Sequence, residues 1–190
     1  MSRGPEEALR EIVERVSQTI KEGVTVDAFL AGGMATYVHT ANRIPPKDEP
    51  RYSEDADIHF MRGLSLPDEV VVTYQDRAGK ERALMLDRNY SSAIGLCHSD
   101  AFDRATPLFN SGNGRIRLKI LTPLDLAITK VGRFQDHDRF DIGLLARCGL
   151  LDAGEFSRQA HEAVDCLATD PAPVLANIRD AIELIRRASP

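Results

Sequence analysis

Apolar residues recur at three- and four-residue spacing near the start of the chain. Leu9, Ile12, Val13, Val16 and Ile20 form one stripe, which predicts a helix over residues 5–22. Pro5 suits its first turn, Glu6 and Glu7 oppose the positive end of its dipole, and Gly23 ends it. Residues 24–31 are short and mostly apolar, and read as a strand. Gly32 and Gly33 break that run, and residues 34–42 return to a helical pattern. Pro45, Pro46 and Pro50 mark a polar loop as far as Arg51. From Ser53 the pattern alternates. Ala56, Ile58 and Phe60 fall on one side and Ser53, Asp55, Asp57 and His59 on the other, as in a half-buried strand with a polar face.

Two β-rich runs follow, residues 69–74 and 82–87, joined by a hairpin connection from Asp76 to Lys80. Residues 89–113 carry few periodic signals. Residues 115–121 alternate again, with Ile116, Leu118 and Ile120 on one face. Thr122 then caps a helix that Pro123 opens, with Asp125 three residues after the cap. The remainder is helical. Residues 138–147 form a segment closed by Gly149, and Asp152 and Glu155 have capping-box spacing and open the next. Residues 173–188 carry the stripe Val174, Ile178, Ile182 and Ile185. The expected fold is α/β in the α+β sense. A core over residues 1–121 has a mixed sheet with helices mainly on one side, and residues 122–190 form a C-terminal helical bundle.

Composition adds exclusions. With 43% hydrophobic and 28% charged residues the chain has an ordinary globular balance. It has no apolar run able to cross a bilayer and no apolar leader at its start, so no membrane partner and a cytoplasmic location are expected. Its 24 basic and 29 acidic side chains give a net charge of −5, which argues against a protein that coats nucleic acid. Cys97, Cys148 and Cys166 lack metal-binding spacing and read as small apolar residues, buried or half-buried.

The chemistry is concentrated in two short stretches. Residues i and i+2 of a strand point the same way, so Asp55 and Asp57 share a face and repel unless a cation lies between them. Mg²⁺ takes oxygen ligands and commonly relies on one or two carboxylates plus substrate phosphates. A D-x-D pair is therefore a natural Mg²⁺–phosphate anchor. Gly32 and Gly33, between a strand and a helix, let the backbone approach a ligand and put free amides beside it. Each signal alone has a local structural explanation, a solvated edge strand or a tight turn. Their succession is more specific.

Helix, strand, Gly-Gly, helix and then D-x-D on the next strand resembles the nucleotidyltransferase superfamily, with its DNA polymerase β-like fold. Within it, GGMA at 32–35 and RYSEDADIHF at 51–60 resemble the bacterial branch of abortive-infection type IV and toxin–antitoxin nucleotidyltransferases. Arg51, Ser53, Asp55 and Asp57 match its Arg-x-Ser/Thr-x-Asp-x-Asp string, and Lys130, Asp138 and Asp141 match its lysine followed by D-x-x-D. The resemblance covers roughly residues 25–145. It implies transfer of a nucleotidyl group from an NTP to an acceptor hydroxyl, in an RNA, a protein or a small molecule. It also implies a toxin–antitoxin or phage-defence setting, with a cognate antitoxin as partner. Asp55 and Asp57 would bind Mg²⁺ and act catalytically. Gly32, Gly33, Arg51, Ser53 and Asp141 would contact the nucleotide, and Lys130 would neutralise the triphosphate.

The chain departs from the pattern in one respect. Many members carry a third carboxylate on a later strand, and the run Arg115 to Ile120 has no acid. Asp87, ending the hairpin, is the candidate. Without it the alternative is a catalytically degenerate nucleotidyltransferase-fold binding module. A metal-dependent phosphohydrolase ranks lower, since the usual His/Asp clusters are missing. His59 reads as a partly exposed strand residue, and Arg115, Arg117 and Lys119 as a solvated basic face.

Overall fold

The computed structural model describes residues 3–45, 51–90, 96–165, 167 and 169–189. The loop prolines Pro46 and Pro50 and the thiol Cys166 lie outside them. The chain is α+β, with its strands divided between two mixed sheets. In the first, β1 (Val26–Leu30) pairs antiparallel with β3 (Ile58–Phe60) and parallel with β7 (Ile116–Ile120). The outer partner of β7 is β6 (Thr106–Asn110), which runs antiparallel to it. In the second, β2 (Asp55–Ala56) runs parallel to β5 (Glu81–Leu86), and β5 pairs antiparallel with β4 (Val71–Gln75).

Alternation explains which faces close. Val26, Ala28 and Leu30 of β1 and Ile116, Leu118 and Ile120 of β7 are all buried. On the second sheet Val72, Tyr74, Leu84 and Leu86 point inward, and α1 (Pro5–Ser17) packs on β4 and β5 with Leu9, Ile12, Val13 and Val16. α1 ends at Ser17, earlier than its stripe suggests. There Ser17 Oγ and Thr19 Oγ1 donate to the carbonyls of Glu14 and Val16, and side-chain hydroxyls of this kind compete with the helical ladder. Ile20 is still buried.

α2 (Gly32–Thr40) starts at the glycines themselves. After the first sheet, α4 (Pro123–Val131) is capped by Thr122, whose Oγ1 accepts the Asp125 N–H at 3.1 Å. α5 (Asp136–Arg147), α6 (Ala153–Val164) and α7 (Ala172–Ala188) pack with α4 into a helical layer. α4 and α5 also rest on α2. One continuous apolar core runs through both the strand-rich part and these helices. The weakly patterned stretch holds α3 (Ala101–Arg104) and β6. β6 is an edge strand containing Pro107 and a register irregularity, so it never needed an alternating sequence. Among the described residues, no helix is long and apolar enough to cross a membrane.

Candidate functional site

The strand that carries D-x-D changes sheets in mid-course. The Ala56 carbonyl accepts the Asp87 N–H at 3.1 Å, tying it to the second sheet, and the Asp57 carbonyl accepts the Ala31 N–H at 2.9 Å, tying it to the first. Asp57 is thus the hinge residue between them, beside the start of α2. Gly32 there has φ +63°, and a Cβ on it would lie 1.5 Å from Asp57 Oδ2. The carboxylate therefore rests on the bare glycine backbone. A Cβ on Gly33 would lie 2.8 Å from Ser53 Oγ and 3.1 Å from Arg51 Nη1. The two stretches singled out in the sequence, separated along the chain by the rest of α2 and the residues that follow it, are in direct contact, and only glycines leave room for that contact.

Asp87 joins them. Asp55 pairs with Met85 and Ala56 with Leu86, which sets Asp87 beside Asp57 on the face that also carries Asp55. The electrostatics agree. Burial, then Asp87, then Asp55 push the Asp57 carboxyl up to about 6, while Lys130 and Arg133 pull it back. Asp55 is exposed, and its carboxyl is also raised, by partial burial and then by Asp87 and Glu54. Asp87 Oδ1 accepts the Asn89 N–H at 2.9 Å. Among the described residues, no three His, Cys, Asp or Glu side chains are grouped so as to hold a metal ion by themselves. Two mutually repelling carboxylates with a third nearby still suit Mg²⁺, which completes its shell with phosphate oxygens and water.

Compared with models of known families, with curated proteins and with solved structures, the chain finds no match.

Lys130 and Asp141 sit deeper than the sequence suggests. Lys130, expected to neutralise the triphosphate, is only 6% exposed, and its Nζ donates to Asp141 Oδ2 at 2.7 Å. The other Asp141 oxygen lies 2.7 Å from Arg51 Nε. Asp141 is completely buried, and burial raises its carboxyl against the pull of Lys130 and Arg51. Asp141, expected to contact the nucleotide, occupies a supporting position in this structure. It clamps Arg51, and with it the strand leading to Asp55, onto α4 and α5. Asp138 is buried as well, and accepts from Arg133 and from the Gln135 N–H at the start of α5.

Two features went unread in the sequence. Arg133 lies in the turn after α4, three residues beyond Lys130, and its charge is felt by Asp57. A groove of about 450 Å³ opens beside Asp55, floored by Val71, Ala83 and Met85 and rimmed by Glu54, Lys80 and Glu81. Its floor is the outward face of the second sheet, and Met85 is exposed there. The other residues weighed earlier have local roles. His59 stacks on Phe102 at 5.0 Å. Arg117 pairs with Asp27 at 2.7 Å, Arg115 donates to the Ile20 carbonyl, and Lys119 lies over the Phe29 ring. Cys97 and Cys148 are half-buried, with thiols raised by burial.

Proposed function

We propose that this protein is a Mg²⁺-dependent nucleotidyltransferase, moving a nucleotidyl group from an NTP to an acceptor hydroxyl. The observation that carries the reading is the seating of the Asp57 carboxylate on Gly32, with Ser53 and Arg51 against Gly33. It brings a pair of acids and a backbone turn that could receive phosphate oxygens to one point. Asp55 and Asp57 would hold the metal. When bound, Mg²⁺ neutralises charge on the carboxylates and on the phosphate oxygens of the substrate.

In the reaction the acceptor oxygen forms a bond to the α-phosphorus, the bond to the pyrophosphate oxygen breaks, and the hydroxyl proton passes to a base. Asp87, whose strand position follows Met85 and Leu86 opposite Asp55 and Ala56, would take that proton. Lys130 stands behind Asp57 and favours its ionised form. The groove beside Asp55 offers room for an acceptor. RNA, protein side chains and small molecules are all candidate acceptors, and a toxin–antitoxin or phage-defence setting with a cognate antitoxin belongs to the same proposal.

Two observations favour a second reading, a binding module that takes nucleotide without turning it over. The third carboxylate already accepts a backbone N–H, and the acids do not form a ready-made cage. Incubation with Mg²⁺ and each labelled NTP, with total RNA or cell lysate as acceptor and Asp57→Ala as control, separates the two. Transfer of label by the parent alone supports the enzyme. Nucleotide binding without transfer or pyrophosphate release supports the module, and neither binding nor transfer rejects both.

A further inference from the structure

We propose that the groove beside Asp55 receives the acceptor, and that the acceptor is an extended segment of a partner protein, with its reacting hydroxyl at the Asp55 end and a basic side chain toward Glu81; this rests on the nucleotidyl-transfer reading above. Strand register gives the groove its direction. Val71, Met85 and Asp55 form one row across β4, β5 and β2, so the floor of the groove runs directly to an acid proposed to hold Mg²⁺. Glu81 lies four residues back along β5, about 13 Å away at the rise of a strand. Ala83 sits midway between Glu81 and Met85, and its small side chain leaves the depression that they border. An extended segment of about four residues covers the same distance. The volume of about 450 Å³ is within the range of sites that hold small molecules or short segments.

The lining selects against nucleic acid. Glu54, Lys80 and Glu81 are exposed, and none has an ion-pair partner among the described residues. The other cation of the lining, Arg82, is held by Asp76 at 2.7 Å. With Asp55 given to the metal, two acids are left facing one lysine. An RNA needs the opposite balance, because its phosphates must be neutralised by basic side chains. It also gains from open aromatic faces on which bases stack. Tyr52 is the aromatic residue of the lining, and the Arg82 guanidinium already lies 4.5 Å from its ring centroid while the ring stacks on Tyr37. A protein segment fits better. A lysine or arginine on it would meet Glu81, and an apolar side chain would rest on Val71, Ala83 and the exposed Met85, whose unbranched chain adapts to what it touches. In the transfer the segment's hydroxyl oxygen bonds to the α-phosphorus, the bond to pyrophosphate breaks, and the hydroxyl proton passes to Asp87, as in the step above.

The test is incubation of the full chain with Mg²⁺, each α-labelled NTP and cell lysate, the products being divided between RNase and proteinase treatment. The parent, Glu81→Lys, Glu81→Gln and Ala83→Trp are compared, with NTP affinity measured by calorimetry and each fold checked by thermal melting. The labelled product should survive RNase, be destroyed by proteinase and differ in size from this chain. Glu81→Lys should lower label transfer roughly tenfold or more, because like charges then meet in the groove, and should leave NTP affinity unchanged. Glu81→Gln should lose less. Ala83→Trp, which fills the groove without changing its charge and suits a strand, should also lower transfer, and it carries the comparison should Glu81→Lys fail to fold. Label in an RNase-sensitive product, in one that survives both treatments or on this chain alone overturns the protein acceptor and leaves nucleotidyl transfer standing. Equal transfer by the parent and the folded groove variants overturns the role of the groove. A parent that binds NTP and labels nothing overturns this proposal in favour of the binding module, and one that does neither overturns the nucleotidyl-transfer reading together with it.

Discussion

Replacing Asp57 with asparagine should make the protein more stable, and should do so only above a particular pH. The Asp57 carboxyl titrates near 3.8 in an unfolded chain and is pushed up to about 6 in the fold by burial, Asp87 and Asp55. A folded-state value above the unfolded one favours folding fully below the lower value, and that advantage is lost as pH rises through the upper one. The shift is roughly two pH units at about 1.4 kcal/mol each, so ionised Asp57 costs the metal-free protein at most about 3 kcal/mol at neutral pH. Asparagine has the same shape and no charge to desolvate. Asp57→Asn should therefore match the parent near pH 3.5 and exceed it near pH 8. In a domain of this size about 3 kcal/mol corresponds to a rise of roughly 6–12 °C in melting temperature. Melting curves followed by circular dichroism across the pH range, with EDTA, give the comparison. Adding Mg²⁺ near pH 8 should raise the parent's melting temperature and leave the variant's unchanged. A variant that is less stable than the parent near pH 8, or whose gain is the same at every pH, would refute the reasoning.

Gly32→Ala should cost more than about 2 kcal/mol, combining a strained φ of +63° with a Cβ driven into Asp57, and should abolish Mg²⁺-dependent nucleotide binding. Gly79→Ala, at φ +78° with open space around it, shows in the same melts what the strain costs alone. Asp141→Asn should destabilise by about 3–5 kcal/mol because Lys130 is left buried without its counter-charge. Lys130→Met should cost less, since Asp141 keeps Arg51, and the reverse order in urea titrations would show the clamp to be misread. Asp125→Ala removes a buried acid that holds both Arg104 and the Thr122 cap, and a loss of about 2–4 kcal/mol is expected in the same titrations. Met85→Lys should leave nucleotide affinity unchanged while lowering label transfer, if the groove beside Asp55 takes the acceptor.

What the sequence disclosed follows from where each signal lies. The helix caps at Thr122 and Asp152 and the hairpin around Gly79 are local, set by residues three or four apart, and they appear as expected. The alternation of Ala56, Ile58 and Phe60 is also local, and it marked the polar face of the D-x-D strand. The division of that strand between two sheets is not local. It depends on Ala31 and Asp87 arriving from elsewhere to bond the backbone on either side of Asp57, and no pattern within residues 53–60 encodes it. β6 was hidden for a different reason. An edge strand with one partner and Pro107 near its start has little burial to enforce alternation. For Lys130, the match to a lysine followed by D-x-x-D gives no burial. Only the packing of α5 shows that a buried acid waits there. Arg133 gives no signal in the sequence because a single arginine after a helix carries no periodicity, and its pairing with Asp138 depends on the turn between α4 and α5.

The charges around the cleft are arranged in two layers with opposite character. In the lower layer Asp141 is sealed from water and its oxygens face Lys130 and Arg51, an arrangement that holds the strand, α4 and α5 in fixed relation. In the upper layer Asp55, Asp57 and Asp87 share a face without enough positive charge between them. Asp57 is raised well above an ordinary carboxyl even though Lys130 and Arg133 both act to lower it. A purely structural cluster would relax such repulsion by turning a side chain to solvent or by pairing it. Asp57 cannot turn, because it is wedged against Gly32 and its backbone is bonded to Ala31. The repulsion is therefore held in place by the fold, and the species that relieves it best is a small cation with oxygen ligands to spare. A rigid, well-paired foundation beneath an under-compensated surface is what a site needs if a metal and an anionic substrate are to be bound together.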